Sequence, residues 1–107
     1  MTAFAVTSRH EAGSLIVTPR GELDIATVGA VRDELAQRGP EEGVVVDFTQ
    51  LDFLDTSGIA LAVEVHRASS AENGFDLRIL RAPARVQRVF EIAGLEGVLP
   101  FEDGPGA

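Results

Sequence analysis

Gly43-Val44-Val45-Val46-Asp47-Phe48, with Asp55-Thr56-Ser57-Gly58-Ile59-Ala60-Leu61-Ala62-Val63-Glu64-Val65 after it, decides the fold class of this 107-residue chain. The first run is short, unbroken and β-branched, which suits a strand covered on both faces, as in a parallel sheet. The second opens on small polar residues and is then apolar almost all round. It reads as a helix starting at Asp55 to Gly58, the most buried helix of the chain. Gln50 to Leu54 reads as a loop or short extension. The helix turns polar from His66 and stops near Asn73-Gly74.

Working outward, Phe4, Val6 and Ser8 alternate with small or polar residues and predict a first strand. Arg9 to Gly13 reads as a turn, and Leu15 to Thr18 as a second strand closed by Pro19, since proline cannot donate to a ladder. The short connection favours a hairpin. Gly21-Glu22-Leu23-Asp24 then turns the chain, and Asp24 or Thr27 can cap a helix carrying Val28, Val31 and Leu35 on one face. Gly39-Pro40 ends it. Phe75 to Leu80 reads as a strand. Pro83 suits a first helical position. Val86, Phe90 and Ala93 mark one helix face with Val89 beside it, and Gly94 suits a left-handed terminus packed by Leu95. Val98 to Phe101 can add a short last strand. The expected fold is α/β: one domain over residues 1–107, frayed from about Glu102, with a mixed, largely parallel sheet of four to five strands and three or so helices. Its crossovers are right-handed.

Seventeen acids face nine basic residues, for a net charge of −8. All nine are arginine and there is no cysteine. Thiolate nucleophiles, disulfides, zinc–sulfur sites, a P-loop lysine and a Schiff base are therefore excluded. An acidic chain with 6% aromatic residues argues against nucleic-acid binding and would steer a partner with a basic face toward itself. No apolar run approaches the ~18 residues of a membrane span, and no leader pattern opens the chain. The expected setting is the cytoplasm, with no membrane partner.

Asp55-Thr56-Ser57-Gly58 is the strongest site candidate. A hydroxyl at a helix start faces free backbone N–H groups and the positive end of the helix dipole, where a phosphate dianion can be held. The same residue types also suit a plain cap. Gly21-Glu22-Leu23-Asp24 follows another strand, so a parallel sheet can bring Asp24 near Thr56 at the end where such folds place function.

Gly21-Glu22-Leu23-Asp24, Val44-Val45-Val46-Asp47-Phe48, Phe53-Leu54-Asp55-Thr56-Ser57-Gly58-Ile59 and Val89-Phe90-Glu91-Ile92-Ala93-Gly94-Leu95 together resemble the anti-sigma factor antagonist family, of the STAS domain fold. The resemblance covers nearly the whole chain. It implies a phosphoacceptor directly after the motif aspartate, at Thr56 where the family usually has serine, with Ser57 as the second candidate. It implies that the unphosphorylated form binds an anti-sigma factor, often a protein kinase, and frees a sigma factor. The kinase ends the complex by phosphorylating the antagonist, and a PP2C-type phosphatase restores it. On this reading the chain is a kinase substrate and no enzyme, needs no cofactor, and docks through Glu22, Asp24 and Asp55, with Gly58 letting the partner approach the helix start. A STAS scaffold or transporter-accessory module that is never phosphorylated is the alternative. The oligomeric state is left open.

Other readings are weaker. A serine interrupts the Asp-Thr-Gly of aspartic proteases. A receiver-type role for Asp47 lacks its lysine and its acidic pair, so Asp47 is expected to accept loop N–H bonds. His10 is expected in a solvated turn and His66 at the border of a buried face; isolated histidines with no carboxylate cluster imply no metal site. Arg81, Arg85 and Arg88 read as a solvated face that can meet an acidic partner.

Overall fold

A two-residue turn, Ala12-Gly13, joins strand β1 (Ala5–Glu11) to β2 (Ser14–Leu23) in antiparallel register in the computed structural model, which describes residues 3–105. Both turn residues have positive φ, 50° and 82°, the geometry whose twist matches that of the flanking strands. The turn is tighter than the expected Arg9 to Gly13, and Arg9, His10 and Glu11 stay in the strand.

Pro19 does not close β2, which runs ten residues and through it. Hydrogen-bonded and non-hydrogen-bonded pairs alternate along an antiparallel ladder, so the nitrogens of Leu15, Val17, Pro19 and Gly21 all face away from β1. On that side β2 pairs in parallel with β3 (Gly43–Asp47) only as far as Val17↔Val46. It pairs again with β4 (Leu51–Leu54) from Gly21↔Leu51. Pro19 falls between the two ladders, where no amide is needed. The segment expected as a turn, Gly21 to Leu23, is therefore strand, and the one expected as a loop forms β4. Strands β3 and β4 lie end to end along β2, broken by a turn that Leu51 N closes on Phe48 O at 3.1 Å.

Parallel pairing continues from β3 to β5 (Leu77–Leu80) and from β5 to β6 (Phe101–Glu102). The sheet is six-stranded, in the order β1-β2-β3-β5-β6, with β4 beside the far half of β2; β1 is its antiparallel member. Helices α1 (Val28–Leu35), α2 (Thr56–Ser69) and α3 (Ala84–Ile92) complete the α/β domain. The core joins Leu15, Val17, Val44, Val46 and Ile79 of the sheet to Val28 and Val31, Leu61 and Val65, and Val86 and Phe90 of the three helices. Phe90 is fully buried, stacked on Phe48 at 5.9 Å between ring centroids and edge-on to Phe101 at 5.0 Å.

Several local expectations shift. Helix α2 buries one face only, through Gly58, Leu61, Ala62 and Val65, while Ala60 is exposed. It ends at Ser69, whose hydroxyl donates to His66 O at 2.7 Å. Pro83 is the N-cap residue of α3 rather than its first helical residue; Ala93, expected on the buried face, is exposed, while Gln87 is buried and accepts from Ala82 N at 3.0 Å. Gly94 has φ 76°, and Leu95 N closes on Phe90 O at 3.0 Å, as its C-terminal motif predicts. The tail expected to fray from Glu102 is instead paired there. Arg81 N donates to Glu102 O at 2.8 Å, and Arg78 forms a two-pronged ion pair with the Glu102 carboxylate. Residues 106 and 107 lie outside the described residues.

Gly58 is buried because α2 starts against the ends of β2 and β4. A Cβ there would lie 2.5 Å from Leu54 Cδ1 and 3.2 Å from Leu23 Cδ2, and both leucines are packed in the core. Overpacking costs ~1–3 kcal/mol, whereas alanine returns at most about 1 kcal/mol of helix propensity. Gly58→Ala should therefore lower the urea midpoint at unchanged slope, by an amount worth up to about 2 kcal/mol. A stability equal to wild type would show that the helix start can move.

Glu42 ties the loop before β3 to the β1–β2 hairpin. Its carboxylate accepts from Gly39 N at 2.8 Å and lies 2.7 Å from His10 Nδ1. His10 thus sits on a strand, exposed but partnered, rather than in a turn. The Gly39 amide above all, then His10, holds the Glu42 carboxyl below its ordinary value. A depressed acid stabilises the fold above its unfolded value near 4.5, and that contribution is lost as pH falls through the lower folded value. Glu42→Gln should therefore flatten the acid limb of a stability-against-pH curve below about pH 5, read by urea melts, and leave the basic limb parallel to wild type.

Candidate functional site

Strands β2 and β4 end side by side: Leu23 pairs with Leu54, and Asp55 N donates to Leu23 O at 3.2 Å. Asp24 and Asp55 are the next residue on each strand, so the two motifs meet at one end of the sheet as the sequence predicts. They leave it in different ways.

Asp55 caps α2. Its backbone is extended, φ −113° and ψ −170°, and Oδ1 accepts from Ser57 N at 2.8 Å and Gly58 N at 3.4 Å. A carboxylate thus fills two of the donor positions that a helix start leaves open and sits at the favourable end of its dipole. The cap is the aspartate rather than either hydroxyl. Thr56, the first helical residue, is exposed; Ser57 is half-buried. Gly58 faces the core, so the room it frees is filled by Leu54 and Leu23 rather than left to a partner, which corrects the expected role of that glycine.

Asp24 folds back on its own turn. Its Oδ1 accepts from Ala26 N at 2.9 Å, an Asx-turn. Thr27 Oγ1 accepts from Asp24 N at 2.9 Å and reaches Glu22 O at 2.9 Å. Thr27 occupies the N-cap position of α1 without a side-chain cap bond. The expected choice between Asp24 and Thr27 as cap resolves into a turn that the two build together. Glu22 is exposed and pairs with Phe53 across the β2–β4 ladder. Asp47 accepts from Thr49 N at 2.9 Å, as expected of a loop-binding carboxylate.

The arginines expected as one solvated face divide. Arg88 is exposed, Arg85 Nη1 donates to Asp52 O on β4 at 3.3 Å, and Arg81 pairs with Glu96 and Asp103. His66 is half-buried at the edge of α2, as expected. Among the described residues no group of three His, Cys, Asp or Glu could hold a metal ion.

Two residues at this end were not singled out from sequence. Ile25 is 78% exposed and Phe53 46%. For Ile25 a signal existed: it falls outside the Val28, Val31, Leu35 spacing and directly after Asp24. Phe53 gave none, since the segment around it does not alternate.

The STAS domain family model matches residues 5–105. The chain is similar to an anti-sigma F factor antagonist of Paenibacillus polymyxa, 31% identical over 97 residues that cover 88% of this chain and 82% of the relative. An anti-sigma-B factor antagonist of Staphylococcus aureus is 31% identical over 87 residues, covering 78% of this chain and 79% of the relative. Among solved structures, an anti-sigma factor antagonist from Mycobacterium paratuberculosis shares the fold with a TM-score of 0.76 and 22% identity, over 96% of this chain and 88% of that one. The anti-sigma factor antagonist SpoIIAA in its unphosphorylated form gives 0.75 and 22%, over 95% and 90%. At 22% identity these two likenesses speak to the fold alone. Matched over almost all of its described length, the chain belongs to the STAS domain family, and within it to the anti-sigma factor antagonist family.

Proposed function

We propose that this protein is an anti-sigma factor antagonist switched by phosphorylation at the start of α2. Unphosphorylated, it binds an anti-sigma factor of the serine/threonine kinase type in the cytoplasm and so releases a sigma factor. The kinase moves the γ-phosphoryl of ATP to Thr56 Oγ1, with ADP as leaving group, and the complex dissociates. A PP2C-type phosphatase hydrolyses the phosphate and restores binding. The protein is a binding partner and a substrate rather than a catalyst. Ser57 is the second candidate acceptor.

One observation carries this reading: Thr56 is exposed at the first turn of α2 while its neighbours Asp55 and Ser57 are half-buried. A kinase needs to reach that one hydroxyl without unfolding anything. The electrostatics support a local switch. Phosphate adds about −1.5 to −2 charges at neutral pH, and Asp55 already holds the Ser57 and Gly58 amides that would otherwise bind it. A phosphate on Thr56 is therefore turned outward, toward the partner, near the exposed Glu22 and the half-buried Asp24 of the neighbouring strand end. A partner surface shaped for a hydroxyl flanked by carboxylates then meets a bulky dianion.

The test mixes the purified protein with the anti-sigma kinases of the genome that encodes it, with labelled ATP. Label should enter wild type and Ser57→Ala and be absent from Thr56→Ala. Thr56→Glu should bind the kinase roughly a hundredfold more weakly, the equivalent of ~3 kcal/mol. Wild-type affinity in Thr56→Glu would defeat charge gating, and labelling of neither hydroxyl would leave the constitutive scaffold as the reading to keep.

A further inference from the structure

We infer that Ile25 and Phe53 are apolar anchors of the docking surface, seated in an apolar cleft of the anti-sigma factor whose rim is basic. The inference rests on the antagonist reading above and adds to it where binding energy, as distinct from switching, resides.

Single exposed apolar side chains are ordinary on a protein surface. These two are set apart by position. Ile25 directly follows Asp24, and Phe53 pairs across the ladder with Glu22, two residues before Asp55. Both thus stand on the two adjacent strand ends that carry the acceptor motif. The acids Glu22, Asp24, Asp52 and Asp55 are their chain or ladder neighbours. An apolar centre with a charged rim is the anatomy of a protein interface, in which a few buried anchors carry most of the affinity.

Ile25 is also displayed on a turn already fixed. Ala26 N is bound to the Asp24 carboxylate at 2.9 Å, and Thr27 Oγ1 is bound to Asp24 N at 2.9 Å. Ordering cost on binding is therefore low. The rim selects the occupant. In a two-fold dimer the same patch faces itself, and Glu22, Asp24, Asp52 and Asp55, partly offset by Arg85 beside Asp52, would then oppose their own copies on a chain of net charge −8. A basic rim on a different protein removes that repulsion and adds attraction.

Phosphate at Thr56 and the anchors should act separately. Titrating each purified kinase against Ile25→Ser should show at least tenfold weaker binding than wild type, with thermal midpoint unchanged. Ile25→Leu should restore most of the affinity, and Phe53→Ser should weaken binding in the same direction. In steady-state phosphotransfer Ile25→Ser should raise KM and leave kcat unchanged. If a kinase that labels Thr56 binds wild type and Ile25→Ser alike, the anchor assignment is wrong while the antagonist reading stands. If no kinase binds or labels wild type, both fall. Self-association of wild type that Ile25→Ser abolishes, seen by sedimentation, would give the patch to a second copy and overturn the assignment.

Discussion

Helix α2 starts close against two leucines, and the geometry of the whole site follows from that approach. Gly58 has no side chain where a Cβ would strike Leu54 at 2.5 Å, so the first turn can settle onto the ends of β2 and β4. Once it is there, the Asp55 carboxylate reaches the amides of Ser57 and Gly58, and Asp55 N is bound to Leu23 O. The glycine sets how near the helix comes, and the aspartate sets its rotation. Thr56, between a capping residue and a half-buried serine, is left as the residue of that turn pointing to solvent. The exposure of Thr56 is thus a consequence of core packing two residues away.

The parts of this architecture that were legible in the sequence are those with strong local chemistry. Val44 to Val46 form a strand flanked on both sides, α2 opens at the Asp-Thr-Ser-Gly motif, and Gly94-Leu95 close α3 as a left-handed terminus. What stayed hidden depends on non-local pairing. Proline at position 19 is a strand breaker only if its nitrogen faces a partner. Here it faces the gap between two parallel partners, a fact fixed by register and invisible to composition. Strand β4 has no alternation of its own, because it exists by pairing with the half of β2 beyond that proline. Glu102 is held by Arg78 and by a backbone bond to Arg81, neither of them near in sequence.

At the site the division was similar. The residue types and their spacing pointed to Thr56, Ser57, Asp24 and Asp55, and pairing of Leu23 with Leu54 brings the two aspartates to adjacent strand ends. The inward role of Gly58 was not readable, since a glycine that lets a partner approach and one that lets a helix approach look identical in a string of letters. The turn shared by Asp24 and Thr27 was equally hidden, because each residue alone has the composition of a helix cap. The structure places the polar atoms of both in one network ahead of α1, which leaves the side chain of Ile25 on its outside.

In the proposed switch, binding would change without disturbing the fold, and the reason is dielectric. On the free protein a phosphate at Thr56 would stand in water, where a charge pair is worth about 0–1 kcal/mol and salt screens it further. Repulsion from Asp55 and Asp24 is of that order, and the helix dipole offsets a part of it. Under a partner, water is excluded and the same dianion must be desolvated or matched, at a penalty of several kcal/mol. In that proposal one covalent change would be nearly neutral for folding and decisive for association. The asymmetry depends on the hydroxyl's being exposed. A buried acceptor would load the same penalty onto the fold, and phosphorylation would then unfold the protein instead of releasing its partner.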